Sequence, residues 1–294
     1  MSTSDPVRMD ECPWRQVNVA FADWVASEDI AAAHLGPLLT AAENEGLLAS
    51  WFFIRKAARW RVRYLPDGSS SQAAVHVTDS LRALKREGHI DDVTEVVYEP
   101  EVHAFGGPEG MGVAHRLFHA DSRNLLAELA GTERQWLTRH RREVALLLNT
   151  AMLRAAGLDW FEQGDVWARV ASHREQPQRL ATSQADALLA SLRVLMSADI
   201  PIVTDGGPRH GITPAWASEF RAAGDELAKL SAAGLLHRGL RAVLAHHIIF
   251  AWNRHGLPHG VQARLSNAAA AVVFGPCPGE GMSANEGAEP WSGS

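Results

Sequence analysis

Arg61 and Arg63 stand two residues apart in the segment RWRVRYL. If this segment is a β-strand, both guanidinium groups lie on the same face of the sheet, because side chains alternate between faces along a strand. Two neighbouring guanidinium groups can bind a carboxylate or a phosphate through paired hydrogen bonds. Arg55 and Arg59 add positive charge at the same predicted hairpin. A charged, solvated sheet face, or ion pairs with helix carboxylates, would explain the same residues.

A second candidate segment, YEPEVHAFGG, follows a predicted strand that ends at Tyr98. Glu101 and His103 would then lie at the end of this strand, where a split βαβ sheet would open to a ligand. Gly106 and Gly107 predict a turn into the next helix, and this diglycine could let a substrate backbone approach closely. A tight turn with solvated acidic side chains accounts for the same residues equally well.

The predicted helix AHHIIFAWNR carries a third candidate, His247. An imidazole titrates near neutrality and can act as a general acid or base. Asn253 and Arg254 fall near the helix end and are candidate substrate-binding residues. A lone buried histidine is more often structural, and 14 histidines in the chain make any single one a weak signal.

His115 and His119 lie four residues apart on another predicted helix, a spacing that two metal ligands can have. The sequence offers no third ligand nearby. Packing between helices and capping are therefore the favoured roles of these two histidines.

The composition narrows the class of protein. The chain carries 28 Lys and Arg against 34 Asp and Glu, a net charge of −6, which argues against a nucleic-acid-binding surface over the whole protein. No apolar run reaches the ~18 residues of a membrane span, and the first residues lack an apolar signal core. Cys12 and Cys277 form no disulfide or metal-binding pattern, so we expect a cytoplasmic protein. The usual phosphate-loop, dinucleotide, nucleophile-elbow and zinc-protease motifs are missing.

The elements that must position these residues predict an α+β protein. Period-two apolar patterns predict four strands, and longer amphipathic patterns predict the helices between them. The predicted order is a strand at Gln16–Phe21, a helix that Ser27 caps and that runs to about Leu48, strands at Ser50–Lys56 and Arg59–Leu65, a helix at Ser70–Arg86 and a strand at Val93–Tyr98. This order is that of a split βαβ, or ferredoxin-like, sheet.

Beyond residue 107 the chain is predicted to be almost wholly helical, and this half packs on the sheet. We expect a single domain over residues 13–276, with its sheet part at 14–99 and its helical part at 108–275. Residues 1–12 and 277–294 are polar or rich in Gly, Ser, Glu and Pro, so both ends are expected to be disordered.

Three segments, in the right order, resemble the C-terminal elimination domain of lantibiotic dehydratases. SWFFIRK with RWRVRY resembles its "wFFIRY…HLRLRF" hairpin, and VYEPEVHAFGG with GMGVAHRLFHADSR resembles its "YepEveRYGG…aeelFhaDS" segment. HHIIFAWNRHGL resembles its closing "H…NRlG" helix. Stand-alone proteins of this kind are called thiopeptide-type bacteriocin biosynthesis proteins, so the resemblance implies maturation of a ribosomally made peptide.

The resemblance also implies a reaction. In that family a partner domain attaches glutamate from glutamyl-tRNA to Ser or Thr of a precursor peptide, and the elimination domain removes it to leave a dehydroamino acid. Arg61 and Arg63 would hold the leaving carboxylate while a base takes the Cα proton, and no metal or organic cofactor is needed. The implied partners are a precursor peptide with its leader and a separate glutamylating subunit; a homodimer is one possible assembly.

The chain departs from the elimination pattern in two places. The family carries an additional arginine where this chain has Pro100 or Ala104, and a histidine where it has Ile249 or Ala251. His247 lies one turn before Ala251 and could substitute, since residues four apart stack on one helix face.

These losses keep two alternatives open beside elimination. Related pyridine synthases of thiopeptide pathways join two dehydroalanines in a formal [4+2] cycloaddition and release the leader peptide. A non-catalytic peptide-binding subunit is the second alternative. Elimination is preferred because the Arg61–Arg63 pair is retained.

Overall fold

The computed structural model describes residues 12–56, 58–68, 70–132, 134–175, 181–198 and 212–275. The predictions of disorder for residues 1–11 and 277–294 lie outside the described residues. In the described part of the chain, no helix is both long enough and apolar enough to span a membrane.

The N-terminal part forms a four-stranded antiparallel sheet. Its strands are β1 (Arg15–Ala20), β2 (Leu48–Lys56), β3 (Arg59–Pro66) and β4 (Asp92–Val96), and they lie side by side in the order β2-β3-β1-β4. Helical segments connect β1 to β2 and β3 to β4. The predicted α+β class and the split βαβ order are therefore confirmed.

The connection from β1 to β2 differs in detail from the single helix expected. It consists of α1 (Ser27–Ile30), a π-helical turn (Ala31–Leu35) and α2 (Gly36–Asn44). Ser27 is the first helical residue and is buried, so the prediction that it caps the helix is wrong; Ala26 holds the cap position without a side-chain hydrogen bond. The helix ends before Gly46, whose φ of 71° turns the chain toward β2.

One face of the sheet, the inner face, is mainly apolar and packs against α2 and α3 (Ser70–Arg86). Strict alternation along the strands puts on this inner face side chains that are at most 1% exposed: Val17, Val19, Trp51, Phe53, Trp60, Val62 and Tyr64. The intervening residues of each strand therefore point to the opposite, outer face.

The rest of the described chain is helical. The helices are α4 (Pro108–Ala130), α5 (Arg134–Ala155), α6 (Trp160–Ser172), α7 (Thr182–Ser197), α8 (Pro214–Ala232), α9 (Leu240–Arg254) and α10 (His259–Phe274). α4 and α9 contact β2, so they cover one half of the outer face, while α5, α6, α8 and α10 pack around them. The other half, over β1 and β4, stays more open, and Thr94 and Val96 are exposed there.

Side chains of α4 complete the outer edge of β2. The Phe53 N–H donates to Ser122 Oγ at 3.2 Å, and His119 Nδ1 lies 2.8 Å from the Trp51 carbonyl oxygen. His119 Nε2 also pairs with Glu43 at 3.2 Å. The strand edge is thereby closed to further pairing, and α4 is fixed against the sheet.

Replacing Ser122 with alanine should destabilise the fold. The buried Phe53 N–H would lose its acceptor, which costs about 1–3 kcal/mol, and we expect the free energy of unfolding in urea to fall by that amount. Ser191→Ala on α7 is the control, because its exposed hydroxyl bonds only within its own helix and should change stability by less than about 0.5 kcal/mol. Equal stability of the two variants would contradict the edge-closing role of Ser122.

Candidate functional site

Arg61 and Arg63 lie on the outer face of the sheet, side by side on β3. In the register of the sheet, Arg63 stands between Phe52 and Gln16, and Arg61 stands between Ile54 and Asn18. The shared face expected from the two-residue spacing is therefore present.

Arg63 is held rigidly. It is 6% exposed, its Nε donates to Gln16 Oε1 at 2.7 Å, and its guanidinium carbon lies 4.4 Å from the centre of the Tyr98 ring and 5.4 Å from that of Phe52. Burial lowers the pKa of Arg63 from its ordinary value, yet a guanidinium remains charged at physiological pH. The two aromatic faces offset part of the cost of burying this charge.

Arg61 is half-buried and differs from Arg63 in having no fixed partner. Within the described ranges its guanidinium has neither a hydrogen bond nor an ion pair. The acidic residue whose charge acts on Arg63 is Glu101, which is exposed and forms no ion pair with any described residue. Neither guanidinium therefore forms an ion pair with a carboxylate of the described residues.

His115 joins this face from α4, which the sequence analysis did not foresee. Its Nε2 lies 3.0 Å from the Tyr98 hydroxyl, and its ring centre is 4.3 Å from that of Trp14. Burial, with a smaller effect of the Arg63 charge, lowers the pKa of His115 to about 4, so the imidazole is neutral at physiological pH. Burial raises the pKa of Tyr98 above its ordinary value, which keeps the hydroxyl protonated.

The four-residue spacing of His115 and His119 did not indicate that His115 contacts Tyr98. The two rings contact different partners, since His119 binds the edge of β2 while His115 binds Tyr98. Only the packing of α4 on the outer face, which depends on contacts far apart in the sequence, could show that His115 approaches Arg63.

Arg55, a predicted substrate-binding residue, is not on this face. It lies on the inner face, where it pairs with Glu28, and its guanidinium carbon is 4.6 Å from the centre of the Trp60 ring. Arg141 Nη2 donates to the second oxygen of Glu28 at 2.6 Å. Burial would raise the pKa of Glu28, but the hydrogen bond from Arg141 and the charge of Arg55 lower it to about 2. Arg55 thus ties β2 to α1 and α5.

His247 does not reach the arginine face either. Its ring is fully buried, edge-on to Phe105 at 5.0 Å between ring centres, and neither ring nitrogen has a partner among the described residues. Burial lowers its pKa to about 3. This placement in the apolar interior does not support the hypothesis that His247 supplies the missing family histidine.

Arg254 has a structural role instead of the predicted substrate-binding role. It is fully buried, and its Nε donates to Asp121 Oδ2 at 2.6 Å. The other oxygen of Asp121 accepts the Trp216 indole N–H at 2.9 Å and lies 3.2 Å from His255 Nε2. This network of Asp121, Trp216, Arg254 and His255 joins α4, α8 and the end of α9.

The diglycine turn packs closely against the loop before α9. Gly106 and Gly107 have φ of 83° and 111°, and a Cβ at Gly106 would lie 2.9 Å from a methyl carbon of Val243. A Cβ at Gly107 would lie 3.1 Å from His237 Nδ1, and the His237 N–H donates to the Gly106 carbonyl. These contacts and the positive φ values explain why both positions are glycine.

The remaining candidates, Asn253 and His103, form no described contact with Arg61 or Arg63. Asn253 accepts a hydrogen bond from Gln262 at 3.0 Å, so it connects α9 to α10. His103 is exposed in the turn after Tyr98. Of the predicted site residues, the structure brings together Arg61, Arg63 and Tyr98, with Glu101 near enough for its charge to act on Arg63 and Tyr98.

Residues 14–273 match the family model described as "Lantibiotic biosynthesis dehydratase C-term". The chain belongs to this family. Its members take part in the maturation of ribosomally synthesised peptides, and the sequence resemblance to the lantibiotic dehydratase family is thus confirmed.

Three solved structures show the same fold. They are the tRNA-dependent lantibiotic dehydratase MibB from Microbispora sp. 107891 (16% identity, TM-score 0.66), TsrL (18%, 0.59) and TbtD, the pyridine synthase of thiomuracin biosynthesis (12%, 0.52). The similarity covers 92% of the chain and 29% of MibB, 90% and 99% for TsrL, and 89% and 98% for TbtD. The chain thus spans less than a third of MibB. A comparison with curated protein sequences found no match.

Apolar residues occupy the positions at which this member of the lantibiotic dehydratase C-terminal family departs from the elimination pattern. Ala251 is fully buried and Ile249 is 8% exposed. The Ala104 carbonyl accepts a hydrogen bond from Arg238 at 3.3 Å. Apolar side chains thus replace the family's additional arginine and its histidine.

Removing the charge of Asp121 should destabilise the protein strongly. Asp121→Asn would leave the buried Arg254 guanidinium without its counterion, and breaking a buried pair in this way costs about 3–5 kcal/mol. We expect that loss in urea unfolding. Asp225→Asn is the control, since its ion pair with Lys229 is exposed on α8. A loss no larger than that of the control would contradict the structural role of the network.

The protein should also lose stability in acid. Burial would raise the pKa of Glu28 and of Asp121, but the arginines paired with them, together with His255 for Asp121, hold both pKa values at about 2, below the values of about 4 expected in the unfolded chain. The unfolded state therefore binds protons first, so this stabilisation is complete above about pH 4–5 and is lost as the pH falls toward 2. Urea unfolding at a series of pH values would measure the decline, and Asp121→Asn should make the decline shallower.

Proposed function

We propose that this protein eliminates glutamate from glutamylated Ser or Thr residues of a precursor peptide. The observation that carries the proposal is the Arg61–Arg63 pair on the outer sheet face, beside a neutral imidazole and without a neutralising carboxylate among the described residues. Family membership supports peptide maturation and enzymatic activity; the arginine pair supports this particular reaction.

In this reaction a base removes the Cα proton, the Cα–Cβ double bond forms, and the Cβ–O bond breaks. The electron pair of that bond leaves with the glutamyl carboxylate. Negative charge therefore develops on the leaving oxygen, and a fixed guanidinium beside it lowers the barrier. Arg63, fixed by Gln16 and Tyr98, serves as this fixed donor. Arg61, which has no described partner, binds the free end of the departing glutamate.

His115 is the proposed base in place of His247. Its imidazole is neutral at physiological pH, so it can accept a proton, and the Tyr98 hydroxyl orients it. A base with a pKa near 4 is weak, because catalysis is most effective when the pKa lies near the working pH. A bound carboxylate would offset the charge of Arg63, which acts on His115, and would raise that pKa. Stabilisation of the leaving group therefore carries most of the rate enhancement.

The proposal implies two partners and no cofactor. A precursor peptide with its leader is the substrate, and a separate glutamylating subunit that uses glutamyl-tRNA supplies the ester. The steps above need only proton transfer and charge stabilisation, so no metal or organic cofactor takes part in them.

The alternative is a pyridine synthase, which joins two dehydroalanines and releases the leader peptide. A specific observation favours it: buried or packed apolar residues occupy the places of the family's additional arginine and its histidine. Such a reaction has no glutamate to bind, and its main requirement is to hold two dehydroalanines in register. The arginine pair would then have no part in the chemical step.

Loss of either arginine should let glutamylated peptide accumulate. Removing one donor to a developing oxyanion costs about 10²–10³ in rate, and we expect this for Arg61→Ala and Arg63→Ala. The assay combines precursor peptide, the glutamylating partner and glutamyl-tRNA, and mass spectrometry detects the added glutamate. Arg59→Ala is the control, since Arg59 is exposed at the start of the same strand and bonds Thr94. Arg61→Gln is a second variant in case an alanine variant misfolds, because Arg61 is only half-buried and its replacement by glutamine should be tolerated.

The wild-type protein distinguishes the alternatives in the same assay. One outcome is that the protein leaves glutamylated peptide unchanged yet converts a bis-dehydroalanine peptide to a macrocycle and releases the leader. That result would replace elimination by pyridine synthesis as the proposed function. Tight peptide binding with neither reaction would indicate a non-catalytic subunit.

His115→Gln should lower elimination by about 10² or more if His115 is the base. Glutamine keeps a polar group at this position, so folding, followed by circular dichroism, should be retained. His259→Gln is the control because His259 is exposed at the first residue of α10. Turnover of His115→Gln close to that of the wild type would remove His115 from the mechanism.

A further inference from the structure

Four basic side chains gather where the end of α6 meets the first turns of α9. His173 and Arg174 directly follow α6, Arg238 precedes α9, and His246 lies on α9. The His173 and His246 rings are 5.0 Å apart between centres, and Arg238 Nη1 lies 3.4 Å from His246 Nδ1. We call these four residues the α6–α9 basic cluster.

No described carboxylate neutralises this cluster. Arg174 donates Nε and Nη2 to the side-chain oxygen of Gln262 and Nη1 to the His173 carbonyl. Arg238 donates to the Ala104 carbonyl. All of these acceptors are neutral, and within the described segments no acidic side chain lies within ion-pair distance of either arginine.

The cluster is open enough to bind a ligand. His173 is exposed, while Arg174, Arg238 and His246 are half-buried. Burial and the charges of Arg238 and Arg174 lower the pKa of both histidines, and His173 adds to the effect on His246. Gathering like charges at a partly buried site is unfavourable unless an anion offsets them, and guanidinium groups bind carboxylates with charge-assisted hydrogen bonds.

A single turn connects the cluster to the arginine face. Arg238 holds the Ala104 carbonyl near the end of the turn that contains Glu101, and Glu101 acts on Arg63 at the beginning of that turn. The Phe105 ring lies 6.2 Å from that of His246 and belongs to the same aromatic cluster as Phe52, which flanks Arg63. An extended peptide that follows this turn would contact both groups of cations.

We propose that the α6–α9 basic cluster is a subsite that binds a carboxylate of the peptide substrate, supplied by an acidic side chain outside the residue being modified. The identity of the ligand as a peptide rests on the proposed function. The leaving glutamate occupies the arginine pair at the other end of the turn, so the second carboxylate comes from the peptide itself.

The direct test uses N-acetylglutamate as the probe and the imidazole Cε1–H signals of His173 and His246 in NMR spectra as the readout. N-acetylglutamate should shift these signals saturably, and N-acetylglutaminamide, which carries no carboxylate, should not. Arg238→Gln removes one guanidinium donor and should weaken the binding of N-acetylglutamate about tenfold or more. Arg174→Gln provides a second variant in case the first does not fold, and Arg82→Gln, at an exposed position of α3, is the control. Saturation unchanged in folded Arg238→Gln and Arg174→Gln, or no saturable shift in the wild type, would overturn the subsite.

Two further measurements distinguish a carboxylate ligand from phosphate, and distinguish this subsite from the proposed function. Tighter binding of inorganic phosphate than of N-acetylglutamate at these histidines would overturn the assignment to a carboxylate. Arg61→Gln should leave the shifts of His173 and His246 unchanged, because the leaving-group site is separate. Binding is measured without turnover, so a protein that fails to eliminate glutamate yet shows these shifts would disprove the proposed function alone.

Discussion

The arrangement of the helical half depends on the buried carboxylate of Asp121. A charge that is fully enclosed is stable only when it is paired and hydrogen-bonded, and here Arg254, His255 and Trp216 together supply those bonds. The network permits one relative placement of α4, α8 and the end of α9. The Arg254 guanidinium also lies over the Phe118 ring at 4.4 Å, which connects the network to the aromatic cluster beneath the sheet. Residues of the motifs FHADSR and NRHG thus hold the scaffold together.

The placement of α4 in turn decides the chemistry of the outer sheet face. Its residues His119 and Ser122 close the edge of β2, and one turn earlier the same helix brings His115 to Tyr98 and Arg63. Arg63 is buried against aromatic rings, whereas Arg61 beside it has no fixed partner in the described part of the chain. One arginine is therefore positioned and the other is free to respond to a ligand. This division is what a site needs when it must both stabilise developing charge and accept a departing acid.

Most charged groups of the interior are paired, which makes the unpaired ones informative. Glu28 lies between Arg55 and Arg141 and ties the inner face of the sheet to α1 and α5. By contrast, the arginine face and the α6–α9 basic cluster are positive without a described acidic partner, although the chain as a whole carries a net charge of −6. Both lie along the turn from Tyr98 to Gly107, so this turn organises the surface on which the peptide is proposed to act.

The sequence by itself determined the order of the elements and the faces of the strands. Period-two and period-3.6 patterns are local, so the split βαβ order and the shared face of Arg61 and Arg63 followed from them. The family resemblance, too, was carried by short segments. Side-chain roles that depend on distant residues were decided only by tertiary structure: Arg55 points inward to Glu28, Arg254 to Asp121, and His247 into the apolar core, while His115 reaches Tyr98. A helix period tells which residues share a face but not what that face meets, because the partner comes from elsewhere in the chain.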